Sequence, residues 1–202
     1  MNVKKYRIGI IPNSPNFDHP QDRRRYIPYF KAKGIKYETA NYETDYDIVY
    51  VSLCADLNKW CNYKNKQADK KKKVRVILDL TNMYLVENKL KDCFRSIYHF
   101  LSGRTSVLKL SYTKTIINMI NSSDVILGGS LEHKQILDKL HKNVIIVRDY
   151  FNDDISISKK DYKLNNDKEL NILWEGFSQG GIGYFKMLKK ILVPITGYKI
   201  NV

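Results

Sequence analysis

The sequence predicts an α/β protein, with a Rossmann-like parallel sheet covered by helices on both faces and an incomplete second α/β unit after it. Six short apolar runs alternate with helical stretches over residues 1–149. This alternation is typical of parallel strands covered on both sides. From residue 169 an apolar run, a glycine-bearing loop, an amphipathic stretch and another apolar run follow one another. That order is how a doubly wound α/β domain begins.

The first unit contains six predicted strands. Each is a short run rich in Val, Ile, Leu or Tyr and bounded by polar, Gly or Pro residues. They are predicted at residues 6–11, 35–39, 47–53, 74–80, 124–127 and 144–147.

Helical stretches connect these strands. Asp22 is the predicted N-cap of the first helix, residues 23–33, which Pro28 weakens or kinks and Gly34 ends. Ser130 is the predicted N-cap of the last helix in this unit. The other predicted helices are a weak one around Trp60 and those at residues 91–101, 108–121 and 131–140.

The domain boundaries follow from composition. We predict a first domain at residues 1–149, a linker at 150–168 and the start of a second domain at 169–202. The linker segment is polar, charged and poor in large apolar side chains, which is typical of an inter-domain connection.

The net charge of +14 raises the question of an anionic partner. The basic residues are spread along the chain, and the dense lysine run at residues 70–73 precedes a strand, where a solvated loop is the usual structure. Lys, Asn, Ile and Tyr all have A/T-rich codons, so genome composition explains much of the excess. We therefore expect no nucleic-acid partner. We predict a cytoplasmic protein. If the basic residues do bind an anionic partner, we favour the inner surface of the membrane over nucleic acid.

The sequence predicts no metal. Its three cysteines are odd in number and lack C-x-x-C spacing, which disfavours a disulfide framework and a structural zinc site. Its four histidines form no metal-site spacing with cysteine or carboxylate.

Candidate site residues lie where strands of the first unit end, since ligands of open parallel sheets bind beyond the carboxyl ends of the strands. For Arg23, Arg24 and the adjacent Arg25, a solvated position at the start of a helix is the alternative to binding a phosphate or carboxylate. Asp18 and Asp79 equally fit capping or loop closure. His133 fits a base or a surface residue. The predicted substrate-binding residues are Asn13, Asp18, Arg23, Arg24, Asp79, Asn82, Gly129, Ser130 and His133.

Two glycine-bearing loops have a physical case for binding anions. Glycines before a helix N-terminus let backbone N–H groups approach a phosphate, and the helix dipole favours negative charge there. One loop contains Gly128 and Gly129, for which a tight strand-to-helix turn is the alternative. The other follows the first strand of the second unit, at residues 175–183.

Six segments in order resemble the N-terminal part of a GT-B-fold glycosyltransferase of the family 4 type. They lie at residues 22–38 (DRRRYIPYFKAKGIKYE), 45–53 (DYDIVYVSL), 76–80 (VILDL), 123–137 (SDVILGGSLEHKQIL), 147–155 (VRDYFNDDI) and 171–177 (NILWEGF). The resemblance implies two Rossmann-like domains facing across a cleft, the first binding the acceptor and the second a nucleotide-sugar donor, usually without a metal. Residues 13–24 and 128–133 would then line the cleft. The donor-phosphate residues implied by this match are Gly176, Gln179, Gly180 and Gly181.

The expected function is hexosyl transfer from a nucleotide sugar to a glycan or lipid-linked acceptor, with no cofactor and no catalytic residue assigned. The resemblance places the remaining donor-domain residues beyond Val202. We therefore expect a truncated or split enzyme that is inactive alone; in a split enzyme, a separate chain would supply the missing donor domain. Two alternatives remain open: a non-catalytic α/β subunit docking on such a chain, and a basic nucleic-acid-binding protein.

Overall fold

The computed structural model describes residues 6–68, 73–81, 85, 88–148, 169–171 and 199–201. The chain divides into two compact units, Met1–Asn152 and Asp153–Val202. The predicted linker at 150–168 lies outside the described residues. None of the helices in the described ranges is long and apolar enough to cross a bilayer.

The first unit contains a six-stranded, all-parallel, open sheet, which confirms the predicted fold class. Its order is β2-β1-β3-β4-β5-β6, and all five pairings are parallel. The strands are β1 Ile8–Ile11, β2 Glu38–Thr39, β3 Ile48–Ser52, β4 Arg75–Asp79, β5 Val125–Gly128 and β6 Val144–Ile146. The chain reverses direction across the sheet between β1 and β3, so the switch point of the strand order lies at their carboxyl ends.

The described residues of this unit form six helices: α1 Pro20–Arg24, α2 Tyr26–Ala32, α3 Leu57–Gln67, α4 Lys89–Leu101, α5 Tyr112–Ser122 and α6 Leu131–Leu137. One sheet face forms the main core with α3, α5 and α6. The opposite face packs on α2 through a smaller cluster. The main core includes Val49, Val51, Val76, Leu78 and Ile126 from strands and Leu57, Trp60, Ile116, Met119, Ile120 and Leu137 from helices. The smaller cluster contains Ile10, Tyr26, Ile27 and Tyr50.

The first predicted helix is divided, and its predicted cap is wrong. His19 is the N-cap of α1, its ring nitrogen accepting from the Gln21 N–H, while Asp22 lies inside the helix. The helical backbone breaks at Arg25, with φ −113° and ψ −83°. Pro28 has no N–H to donate to the carbonyl four residues earlier and its ring crowds that carbonyl, so a continuous helix cannot pass this point.

Other helix ends follow local capping. Asp56 caps α3 by accepting from two backbone N–H groups, and Ser130 caps α6 as predicted. The predicted helix at residues 108–121 begins later, at Tyr112, because Ser111 provides the cap. The last helix ends at Leu137 rather than at residue 140.

In the second unit, the described residues form two short strands, β7 Glu169–Asn171 and β8 Lys199–Asn201, which pair in parallel. A parallel pair needs a crossover connection, usually a helix. Residues 172–198, which make that connection, lie outside the described part of the chain.

Candidate functional site

A cluster of buried polar side chains lies at the carboxyl edge of the six-stranded sheet. Five polar or charged residues there are at most 4% exposed: Asp22, Arg25, Ser52, Asp79 and His133. Buried polar groups of this kind must be paired or serve a ligand, since burial without a partner is costly.

Asp22 organises the loop after β1. Its carboxylate accepts from the backbone N–H groups of Asn13 at 3.0 Å and Ser14 at 3.1 Å, and from the Asn13 side-chain amide at 2.7 Å. The Tyr26 hydroxyl donates to the same carboxylate at 2.7 Å. Asp22 therefore holds the loop at the switch point, which explains why it is buried and does not cap the helix.

Arg25 and Asp79 form a buried ion pair at the end of β4. Arg25 Nε donates to Oδ2 at 3.1 Å and Nη2 to Oδ1 at 2.9 Å, and the two side chains are 2% and 3% exposed. Arg25 Nη1 donates to the Val147 carbonyl at 2.6 Å. The Tyr50 hydroxyl donates to Asp79 Oδ2 at 2.5 Å. Burial, together with the neighbouring Asp79 carboxylate, raises the pKa of Tyr50, so this hydroxyl stays protonated.

His133 lies on the first turn of α6, where its backbone N–H donates to Ser130 Oγ at 3.1 Å. The imidazole is buried, and its Nε2 has no hydrogen-bond partner within the part of the chain that is described. Burial, reinforced by the positive charge of Arg25, lowers the pKa of His133. The ring is therefore neutral at pH 7 and carries one nitrogen able to accept a proton.

Ser52, at the end of β3, also has a buried polar atom without a hydrogen-bond partner among the described residues. That atom is the hydroxyl oxygen. Ser52 is in register with Asp79 on the neighbouring strand. This edge thus holds two buried polar atoms whose hydrogen-bonding capacity the described chain does not use, which is a common property of ligand sites.

The two glycines after β5 differ in their surroundings. A Cβ on Gly128 would meet Ile146 Cδ1 of β6 at 3.3 Å, so a side chain here would crowd the neighbouring strand. A Cβ on Gly129 would meet nothing within 4 Å, so the space above it is open. The Glu132 carboxylate accepts hydrogen bonds from the backbone N–H of Glu132 itself and from the Ser130 hydroxyl, and these bonds lower the pKa of Glu132. That carboxylate therefore already occupies the N-terminus of α6, where an anion was expected.

A cavity of about 600 Å³ adjoins the ion pair, between α2 and the sheet. Arg25 and Tyr50 belong both to its wall and to the network at Asp79. The rest of the wall is mostly apolar and includes Tyr29, Phe30, Ile77 and Leu127.

The predicted site residues divide into three groups. Asp79 and His133 lie within the buried cluster, linked through Arg25, and Asn13 donates to Asp22 nearby. Four are exposed: Arg23 and Arg24 on α1, Asp18, which accepts from Ser14 Oγ at 2.5 Å, and Ser130, which caps α6. Asn82 and the four predicted donor-phosphate residues, Gly176, Gln179, Gly180 and Gly181, lie outside the described residues.

Sequence reasoning considered Arg25 only as part of the run of three arginines, for which contact with a phosphate or carboxylate was one interpretation, and it missed Asp22 and Tyr50 as members of the cluster. Helical spacing carries a usable signal for Arg25 and Asp22. Asp22 is three residues before Arg25 and four before Tyr26, so these share a helix face, whereas Arg23 and Arg24 turn away from it. No comparable signal marks Tyr50, because a tyrosine inside an apolar strand usually contributes only its ring to the core.

Among the described residues, no three His, Cys, Asp or Glu side chains lie close enough together to hold a metal ion.

No protein-family model matches the chain, and no curated protein or solved structure is significantly similar to it. An open parallel sheet hosts many unrelated activities. Function must therefore be argued from the site itself.

Proposed function

We propose that this chain provides the acceptor-binding domain of a GT-B-type glycosyltransferase, which moves a hexosyl group from a nucleotide sugar to a glycan or lipid-linked acceptor. The observation that carries the proposal is the buried, neutral imidazole of His133 with an unused Nε2 at the carboxyl edge of the sheet. The resemblance of the sequence to such enzymes supports the choice of reaction.

The chemistry required of this domain is modest. An acceptor hydroxyl must be oriented and must lose its proton as its oxygen bonds to the anomeric carbon and the bond to the diphosphate breaks. A neutral imidazole with a free nitrogen is suited to accept that proton or the hydrogen bond that precedes it. We assign this contact to His133. No metal is invoked.

Arg25 acts on His133 at a distance. All three of its nitrogens are engaged, by Asp79 and by the Val147 carbonyl, so its bonding geometry is fixed. Its positive charge disfavours the imidazolium form of His133. In this proposal burial keeps the imidazole unprotonated, Arg25 is a positioning residue whose charge adds to that effect, and Asp79 holds the guanidinium in place.

The adjoining cavity bears on the choice of acceptor. Its wall of aromatic and aliphatic side chains suits an apolar group. An acceptor with a lipid portion would place that portion beside Tyr29 and Phe30 and its sugar toward the polar edge. We therefore favour the lipid-linked acceptor over a free glycan.

Ligand-observed NMR with the purified chain tests the proposal. Short oligosaccharides are compared with the same sugars carrying a prenyl-phosphate tail, using the parent chain, His133→Ala and the control His141→Ala. His141 precedes β6 and is half-buried, and its Nε2 lies 3.1 Å from the Ser123 carbonyl oxygen. We expect tailed sugars to bind best, with about tenfold weaker binding for His133→Ala and none of that loss for His141→Ala. Equal binding by all three proteins would refute the role of His133, and no binding to any sugar would refute the proposal.

A further inference from the structure

Helix α4 is oriented with its polar side toward the protein. Its buried residues are Asp92, Ser96 and His99. Asp92 accepts from Ser111 Oγ at 2.6 Å and from the Thr113 N–H at 2.7 Å. A surface helix normally turns its apolar stripe to the core, so this helix reverses the usual arrangement.

Ser96 and His99, the other two buried residues of α4, strengthen this attachment. The centroids of the His99 and Tyr112 rings are 4.4 Å apart, and the Ser96 hydroxyl donates to the Lys109 carbonyl. The orientation of α4 is therefore fixed by specific contacts with the segment that leads into α5.

The apolar stripe of α4 faces outward as a consequence. Leu90, Phe94, Tyr98 and Leu101 follow helical spacing and are 59% to 77% exposed. The following loop adds Val107, Leu108 and Leu110. With Phe100, eight of the 14 exposed large apolar side chains in the described part of the chain belong to residues 90–110. A concentration of this kind marks an interaction surface.

The charges around this stripe are almost all positive. Residues 88–114 contain six basic side chains and one carboxylate, and that carboxylate is the buried Asp92. Lysine is depleted in protein–protein interfaces, whereas Lys and Arg beside exposed Leu and Phe are typical of helices that lie on anionic bilayers. The basic residues are Lys89, Lys91, Arg95, Arg104, Lys109 and Lys114.

We propose that the outer face of α4 and the loop at residues 104–110 dock onto an anionic lipid bilayer. The helix would lie in the plane of the surface, with Phe94 and Leu101 inserted among the lipids and the lysines beside the headgroups. A second copy of the chain is disfavoured as the occupant, because it would bring the same positive charges together. This inference does not rest on the proposed transfer reaction.

Vesicle co-sedimentation of the full chain tests the proposal, with phosphatidylcholine vesicles with and without phosphatidylglycerol. We expect binding only to the anionic vesicles, declining as salt is raised. Phe94→Ser with Leu101→Ser should weaken binding about tenfold or more. Lys89→Gln with Lys91→Gln should weaken it about 30-fold, since each basic residue near a charged leaflet contributes about 1 kcal/mol.

Matched control variants remove the same kinds of side chain from other parts of the surface. Leu131→Ser removes an exposed apolar residue of α6, and Lys139→Gln with Lys142→Gln removes two exposed charges. Both should bind like the parent chain, and all variants should keep its thermal midpoint. Equal binding to neutral and anionic vesicles, no binding, or equal losses in the controls would overturn the proposal. So would a stable protein complex that covers this face in solution. His133→Ala, by contrast, should leave vesicle binding unchanged, so failure here is distinguishable from failure of the proposed function.

Discussion

Replacing Asp79 by Asn should be among the most destabilising single substitutions in the first unit. Asp79 is 3% exposed and is the counter-ion of an arginine that is 2% exposed. The change removes the carboxylate charge that faces the buried Arg25 guanidinium, and breaking a buried ion pair by neutralising one partner costs about 3–5 kcal/mol. The Tyr50 hydroxyl still has an acceptor in the amide oxygen, so its bond adds little to the loss.

Equilibrium urea unfolding measures this cost. With a slope of about 2 kcal/mol per molar urea for a unit of this size, the midpoint should fall by about 2 M. The triple variant Arg25→Met, Asp79→Leu, Tyr50→Phe removes all three polar groups together. It should recover most of the loss, leaving about 1 kcal/mol for the Val147 carbonyl that no longer receives its hydrogen bond.

An exposed pair of the same chemistry provides the control. Arg7 and Glu38 meet at 2.7 Å but are 56% and 46% exposed, so Glu38→Gln should leave the midpoint unchanged. The reasoning is refuted if Asp79→Asn shifts the midpoint no more than Glu38→Gln. It is also refuted if the triple variant is no more stable than Asp79→Asn, because desolvated charge would then not be the cause.

Three further predictions concern stability alone. Burial, with smaller contributions from nearby arginines, lowers the pKa of His99 to about 4. In the unfolded chain this histidine has its ordinary pKa near 6.5, so below that pH the unfolded chain binds more protons, and about 3 kcal/mol of stability should be lost between pH 7 and pH 4. His99→Gln should flatten that part of the stability–pH curve. A Cβ on Gly9 would meet side-chain atoms at 2.8 and 2.9 Å, so Gly9→Ala should cost about 1–3 kcal/mol in thermal or urea unfolding, whereas Gly129→Ala should be neutral. Asp92→Ala removes the acceptor for two residues at the start of α5 and should cost about 2 kcal/mol, while the exposed Asp138→Ala should not change the urea midpoint.

The parallel sheet could be predicted from sequence because its strands are continuous Val/Ile/Leu runs, as strands buried on both faces must be. The predicted strand limits were too long at several ends, because terminal residues such as Tyr6 and Leu53 are apolar but unpaired. The position of Asp79 and His133 at the carboxyl edge of the sheet could be predicted because chain order alone defines that edge.

The remaining parts depend on tertiary contacts that a sequence does not specify. Helical spacing separates Arg25 from Arg23 and Arg24, but it does not specify that the partner of Arg25 is Asp79, 54 positions further along the chain. Whether His133 has a partner depends on what other loops present to it. The orientation of α4 likewise follows from Asp92 and His99 finding partners near α5, against the preference of its apolar stripe.

The bond from Arg25 to the Val147 carbonyl joins residues 122 positions apart, and this separation governs when it can form. From β3 onward the strands add in chain order to the growing edge of the sheet, so each one pairs with a neighbour already synthesised. The residues next to β6 come last, and closing so long a loop has a high entropic cost. The contact should therefore form after the rate-limiting step of folding, and it should lengthen the lifetime of the folded unit without speeding its formation.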